Sequence, residues 1–358
     1  MCFRIDSRQT IAILSLTIPG LAASHSEVVV GGSMSYCAEH FDRLIENIKA
    51  TKYEFNDLKI ERWGCNDVDD HGWIPVDRPE FDPEVDPECG MSTGPALIGR
   101  NFRSWLSIHP IYIHPSSALA GAWIPMPSSV ARWRDKPAGF DELWEKYNIR
   151  QPGVYGMNHF GPDMNIGLEL GLGGILEKIR DYRRLNNPTD TDFYDGEEEV
   201  VLGMREFVQK HAAEAARRAE NTTEPFEKKN YDEIAEINEW LIDHPPRTLR
   251  EAVQFLAWFQ TFDRMYFMGG AMQQIDTLLL PYYLKDKAEG VITEDNEAVW
   301  YLASLLFNDT HYHQIAGPSP ADGHDVSNPI SFFCWKQCTR PAYRRTWRYV
   351  STTTLMTG

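Results

Sequence analysis

A single helix-rich domain is what this sequence predicts, and three observations support that expectation. In His244-Pro-Pro-Arg-Thr-Leu-Arg-Glu-Ala-Val-Gln254 two prolines stop one element, and Thr248 with Glu251 three residues later forms a capping box before the apolar run 249–262. Several other stretches repeat apolar residues at helical spacing, whereas strand candidates are few and short. The chain has 358 residues, 42% of them hydrophobic and 24% charged, which is globular composition with enough material for one large core.

The central run comes first. Leu249, Ala252, Val253, Leu256 and Phe259 occupy one side and Phe255, Trp258 and Phe262 another. Little of the circumference is left for water, so this helix is expected at the centre of the core.

From the N-terminus, residues 1–36 are poorly patterned, with one strand expected at Val28–Val30 before Gly31-Gly32. Residues 38–50 read as a helix, with Phe41, Leu44, Ile45 and Ile48 in register. Between Gly64 and Gly94, aspartates and prolines deny the chain any long regular element. The segment 98–133 is aromatic and punctuated by proline, and the alternation at Ile111-Tyr-Ile113 suggests a short strand between two prolines. A short helix is expected at 140–147 and a long one at 165–185. The long one contains Gly167, Gly171, Gly173 and Gly174, and each glycine weakens a helix by about 0.8–1 kcal/mol relative to alanine. Close packing against another backbone is the reason expected for them.

Residues 195–221 form a surface helix with an acidic start and a basic end, which complement the helix dipole. Residues 226–241 form another. After the central helix, a glycine-containing turn at 265–271 leads to a helix at 275–289, which Pro281 is expected to kink or break. Gly290 ends it, and Thr293-Glu-Asp starts the next helix through Phe307.

A net charge of -17 and a pI near 5.1 deny the chain the basic face that a phosphate backbone requires, so no nucleic acid is expected as partner. The six cysteines are too sparse and unevenly spaced for a disulfide framework, which implies reduced thiols and a cytoplasmic protein. Ile11–Ala23 is a poor export signal, because Ser15, Thr17 and Pro19 shorten its apolar core. No membrane association is expected.

Histidines and acids form several constellations. His109 and His114, held between prolines, offer imidazoles to a metal, yet no cysteine or carboxylate stands at a recognised spacing; packed, satisfied histidines are the expectation. The pair His311 and His313 is incomplete as a site, and Asp67, Asp69 and Asp70 do not complete a calcium loop. No metal centre is expected. His159 and Asp163, four apart before a helix, can present a base and an acceptor to one small polar ligand; alternatively Asp163 is the helix cap.

Four stretches carry a resemblance: Pro245-Pro-Arg-Thr-Leu-Arg-Glu-Ala252; Gln274-Ile-Asp276-Thr-Leu-Leu-Leu-Pro-Tyr-Tyr283; Gly317 with Asp322-Gly-His-Asp325-Val-Ser-Asn328; and Asn158-His159-Phe-Gly-Pro-Asp163 with Leu170-Gly-Leu-Gly-Gly-Ile175. Through them the chain resembles the N-terminal half of glycyl-radical enzymes, the family of pyruvate formate-lyase. The resemblance covers roughly 98–333, and 18–97 more weakly. It implies an α/β fold: helices packed around one half of a ten-stranded α/β barrel. It also implies a small-molecule substrate contacted by His159 and Asp163, hydrogen abstraction by a thiyl radical, and a glycyl radical installed by a radical S-adenosylmethionine activase. The intact enzyme would be a homodimeric lyase, decarboxylase or acyltransferase of anaerobic metabolism. Asn158 and Met164 depart from the family pattern.

The family's radical-carrying loops, Gly-Cys-x-Glu-like and Arg-Val-x-Gly-Tyr-like, have no counterpart here, since Gly64-Cys65-Asn-Asp lacks the glutamate and lies before the Pro-Pro-Arg-Thr segment. The expected reading is therefore a partial domain over 1–333, inactive alone because no catalytic residue is present. The other reading is a non-catalytic helical binding or interaction protein derived from such an enzyme. Residues 334–358 carry five basic side chains and no acidic one. Their codons, read from the third base of each preceding codon, permit Leu-Leu-Glu-Ala-Met-His, so this tail is expected to be non-homologous and out of frame.

Overall fold

The apolar run after Thr248 forms a helix that is buried on nearly every side. In the computed structural model it is α7, and the helices before it are α1 (Ala38–Trp63), α2 (Pro95–Ile108), α3 (Phe140–Lys146), α4 (Met164–Asn186), α5 (Asp192–Asn221) and α6 (Pro225–Leu241). α7 itself spans Leu249–Phe267, followed by β1 (Ala271–Met272), α8 (Ile275–Ala288), α9 (Asp295–Asn308), β2 (Tyr312–His313) and α10 (Pro329–Cys338). The structure describes residues 36–64, 72–88, 90, 92–126, 139–147, 161–267, 271–308, 312–313, 315–317, 319 and 322–338. Residues 37–358 form one unit of contacts and residues 1–36 another, and the fold described is that of the former. The expected strand at 28–30 lies outside the described residues.

α7 begins as its sequence predicts, with one displacement. Thr248 Oγ1 accepts the Glu251 N–H at 3.3 Å, but the Glu251 carboxylate reaches back to the N–H of Arg247 rather than of Thr248. The first helical N–H, on Leu249, donates to Asp286 Oδ2 of α8 at 2.6 Å, so a neighbouring helix supplies part of the cap. We expect Thr248→Ala to lower unfolding free energy by about 1 kcal/mol in urea melts, the usual value of an N-cap hydroxyl. No loss would mean that Glu251 and Asp286 cap the helix by themselves.

Around α7 the core is aromatic. Phe207 of α5 lies 5.6 Å from Trp258 and 5.7 Å from Phe262, ring to ring, with edge-on geometry. α9 is buried along almost its whole length, from Ala298 to Asn308. α1 runs past the predicted end to Trp63, with Phe41, Leu44, Ile45 and Ile48 buried as expected. α8 runs through Pro281 without a break.

The glycines of α4 do what the pattern requires. A Cβ at Gly167 would strike the Phe255 ring, and one at Gly173 would strike the Asp243 backbone. α4 is not one straight helix, because Gly171 adopts φ 65° and ψ 177° and joins two helical pieces beneath the backbone of His244 and Pro245. A similar device seats α2 on α5, where Gly99 and Gly196 let the two backbones touch.

In 98–133 one helix was not anticipated and one expectation is corrected. Pro95 at the first turn and buried Ala96, Leu97, Phe102, Trp105 and Leu106 make 95–108 a helix, α2. The predicted strand at Ile111–Ile113 does not form: residues 109–126 are largely buried, turn at 115–116 and fold back so that the Gly121 N–H donates to Tyr112 O at 2.9 Å, with no ladder partner among the described residues. Side chains take the place of a ladder. The Arg218 guanidinium donates to Ile113 O at 2.6 Å, Trp300 Nε1 to Ser116 O at 2.8 Å and Asn230 to Ser117 O at 2.9 Å. Ser304 Oγ accepts the Ala118 N–H at 3.0 Å, and Gln254 pairs with both backbone groups of Ala120.

β1 and β2 form a two-stranded parallel sheet, with Ala271 opposite Tyr312 and Met272 opposite His313. The described residues are thus helix-rich, with one parallel pair.

Candidate functional site

Parallel strands open their carboxyl ends toward ligands in α/β folds, because the connecting loops converge there. At that end of the β1–β2 pair, the turn into α8 meets the loop from Ile315 to Asn328 that leads into α10. Gln274 ends the first connection with φ 47°, and Ala316 and Gly317 turn the second with φ 57° and 108°.

Asp276 joins them. Its side chain is fully buried; Oδ1 accepts the Thr277 N–H at 3.0 Å, while Oδ2 accepts the Ala316 N–H at 2.8 Å and the Ser331 hydroxyl. One carboxylate therefore fixes the start of α8, the exit of β2 and the first turn of α10. Sequence reasoning had Asp276 only as part of a resemblance. The available signal was an ionisable residue placed among the apolar neighbours Ile275, Leu278, Leu279 and Leu280.

Beyond Gly317 the loop folds on itself. Val326 N–H donates to Gly317 O at 3.0 Å, and Ser319 N–H donates to His324 O at 2.7 Å. Asp322 accepts from His324, which holds its carboxyl below the usual range, and Asp325 accepts the Ser327 N–H and hydroxyl. Asn328 and Ser331 cap α10 reciprocally: Asn328 Oδ1 accepts the Ile330 N–H at 2.9 Å and Ser331 Oγ accepts the Asn328 N–H at 3.0 Å. The segment Asp322–Asn328 is thus a loop-closing and capping device.

The same holds for the segment at 247–254. Arg250, 5% exposed, donates to Ala118 O, Asn230 and Glu233, while Glu251 pairs with Arg247 and Gln254 holds Ala120. Its polar side chains grip neighbouring backbone rather than an open cleft.

Of the expected substrate contacts, His159 lies outside the described residues. Asp163 caps α4, with Oδ1 accepting the Asn165 N–H at 3.0 Å, and is exposed. The capping role anticipated for Asp163 is therefore in place. His109 and His114 are the packed, satisfied residues expected. His109 donates from Nδ1 to Pro110 O at 2.8 Å and accepts the Ile124 N–H on Nε2 at 3.0 Å; burial pushes its pKa down to about 3. His114 accepts the Ser116 N–H on Nδ1 at 3.0 Å and meets Thr51 Oγ1 at 2.9 Å, and burial lowers it to about 4. A third, His211, was not singled out by the sequence; it accepts the Tyr112 N–H at 3.4 Å and burial lowers it to about 4. Cys65, Asp67, Asp69, Asp70 and His311 lie outside the described residues. Among the described residues no three of His, Cys, Asp and Glu are grouped to hold a metal ion, and no helix is long and apolar enough to cross a membrane.

Comparison with known proteins bears on the same segments. Residues 144–332, more than half of the chain, match the family described as pyruvate formate lyase-like. An isethionate sulfite-lyase of Nitratidesulfovibrio vulgaris is 31% identical over 153 residues, which is 36% of this chain and 18% of that protein. The 4-hydroxyphenylacetate decarboxylase glycyl radical subunit of Clostridioides difficile is 25% identical over 151 residues, 39% of this chain and 16% of that protein. In fold, the chain superposes on a glycyl radical enzyme from Archaeoglobus fulgidus with a TM-score of 0.58 at 16% identity, covering 83% of this chain and 46% of that one. The B12-independent glycerol dehydratase of Clostridium butyricum gives 0.58 at 14% identity, covering 86% and 46%. The chain spans less than half the length of these relatives.

Proposed function

This chain belongs to the pyruvate formate lyase-like family of glycyl-radical enzymes, and from that premise we propose that it is the scaffold half of a lyase acting on a small organic substrate. The observation that supports this reading is that the polar residues of the matched segments, Arg250, Glu251, Gln254, Asp276, Asn328 and Ser331, hold backbone and helix ends in place. In the whole fold these helices surround one half of a ten-stranded barrel, to which β1 and β2 contribute two parallel strands. The relatives named as sulfite-lyase, decarboxylase and dehydratase suggest bond cleavage on a small organic acid or alcohol, with His159 and Asp163 as the residues proposed to contact it.

A glycyl radical supplies the hydrogen-abstracting chemistry in such an enzyme, and the residues of this chain do not fit it. Cys37 is exposed beside α1 and Cys334 is buried in α10, the helix that Cys338 ends; none of the three sits in a Gly-Cys-x-Glu-like loop. No glycine of the sequence stands in an Arg-Val-x-Gly-Tyr-like loop. Without its radical carrier, covalent catalysis has no first step. The chain by itself is therefore inert, and the activase, the cytoplasmic setting and the homodimer belong to the intact enzyme.

The test is anaerobic incubation of the purified chain with a radical S-adenosylmethionine activase and S-adenosylmethionine, followed by electron paramagnetic resonance. A silent spectrum is expected. A glycyl doublet borne by this polypeptide would overturn the proposal.

A further inference from the structure

α10 places the wrong side chains on its two faces. Phe332 is 53% exposed and Trp335 48%, whereas Gln337 is fully buried and neither of its amide atoms has a hydrogen-bond partner. A helix that packs one face normally does the reverse, since a buried amide needs partners and an apolar face needs cover. The mismatch lies at the same place as two sequence discontinuities. The family match ends at residue 332, and from Cys334 onward acidic residues vanish from a chain otherwise rich in them.

We infer that residues 334–358 are read one base out of register, and that the helix at α10 belongs to the frame whose codons begin on the third base of the preceding codon. The genetic code makes part of this independent of codon choice. Phe333 with Cys334, and Cys334 with Trp335, each give leucine; Trp335 with Lys336 gives glutamate; Met356 with Thr357 gives aspartate. Lys336 with Gln337 gives alanine or threonine, and Gln337 with Cys338 gives methionine or valine. Set on α10, the displaced frame puts leucine at buried position 334, glutamate at exposed position 336 and a small residue at fully buried position 337. It removes the unpaired amide and returns acidic residues to a stretch that has none. Position 335 remains apolar and exposed, as does Phe332, which precedes the displaced codons.

The inference draws on the family match only for its end point and not on the proposed reaction, so a result in the spin experiment leaves it standing. Two measurements test it. Gln337→Ala should raise the melting temperature by a few degrees, whereas Gln254→Ala, whose amide is paired at both ends with Ala120, should lower it. A melting temperature that is unchanged or lowered by Gln337→Ala would show that Gln337 belongs where it is. Resequencing of the gene around codon 333, with mass spectrometry of the protein from its source, should find the Leu-Leu-Glu reading. Peptides carrying Trp335-Lys336-Gln337 without that reading would overturn the inference.

Discussion

Gly171→Ala should leave little folded protein. The residue holds φ 65° and ψ 177°, a conformation essentially restricted to glycine, and a Cβ there would stand 2.5 Å from the carbonyl carbon of His244. Backbone strain and overlap add, because neither the kink of α4 nor the 243–245 segment can retreat without disturbing the start of α7. A loss of about 4 kcal/mol or more is expected, at the extreme of single substitutions. Gly290→Ala is the control: it also has positive φ, at 72°, but nothing lies within 4 Å, so about 1–2 kcal/mol is expected from conformation alone. Chemical denaturation of the two variants separates the effects, and comparable losses would refute the packing argument.

The second large effect is acid sensitivity through three neutral histidines. His109, His114 and His211 each accept a backbone N–H, from Ile124, Ser116 and Tyr112, and a protonated imidazole has no lone pair left for that bond. Burial is the leading cause that lowers all three, to about 3, 4 and 4; Lys210 and Arg218 press His211 further down, against Glu214, and Lys210 adds to the effect on His109. The unfolded chain takes up these protons near pH 6.5, the folded one only near pH 3–4. The stabilisation is therefore complete above pH 6.5 and lost as pH falls toward the folded values. A shift of two and a half units, that of His114 and His211, corresponds to about 3 kcal/mol, and His109 is lowered further, so the three together are large against the stability of an ordinary domain. Melting temperatures by circular dichroism should be flat above pH 7 and fall steeply between pH 6.5 and 5. His211→Gln should flatten that slope while lowering the plateau. A melting temperature constant down to pH 5 would rule the mechanism out.

Much of the helical layout was legible because it is local. Thr248 and Glu251 mark the start of α7, the spacing of Phe41, Leu44, Ile45 and Ile48 marks α1, and Gly290 marks the end of α8. The glycines of 167–174 announced close packing correctly, although only the structure names Phe255 and residues 243–245 as what they touch. The 109–126 segment was illegible for a physical reason. Its alternation of apolar residues is that of a strand, but many of its hydrogen bonds go to side chains of α1, α5, α6, α7 and α9, from residues up to 186 positions away. Its partners are defined only once those helices have packed.

What the sequence by itself determined is most of the helical stretches, α2 excepted, the apolar face of those it marked, and the family to which the segments at 158–175, 245–252, 274–283 and 317–328 belong. Those follow from short-range periodicity, caps and residue order. Only the tertiary structure decided the roles. Asp276, Arg250 and Gln254 stand in the sequence only as members of motifs shared with a family, and burial and their partners show them holding a loop, a buried segment and a helix start together. A carboxylate or guanidinium has the same intrinsic chemistry in either setting, and what separates scaffold from site is which groups the fold leaves it to face.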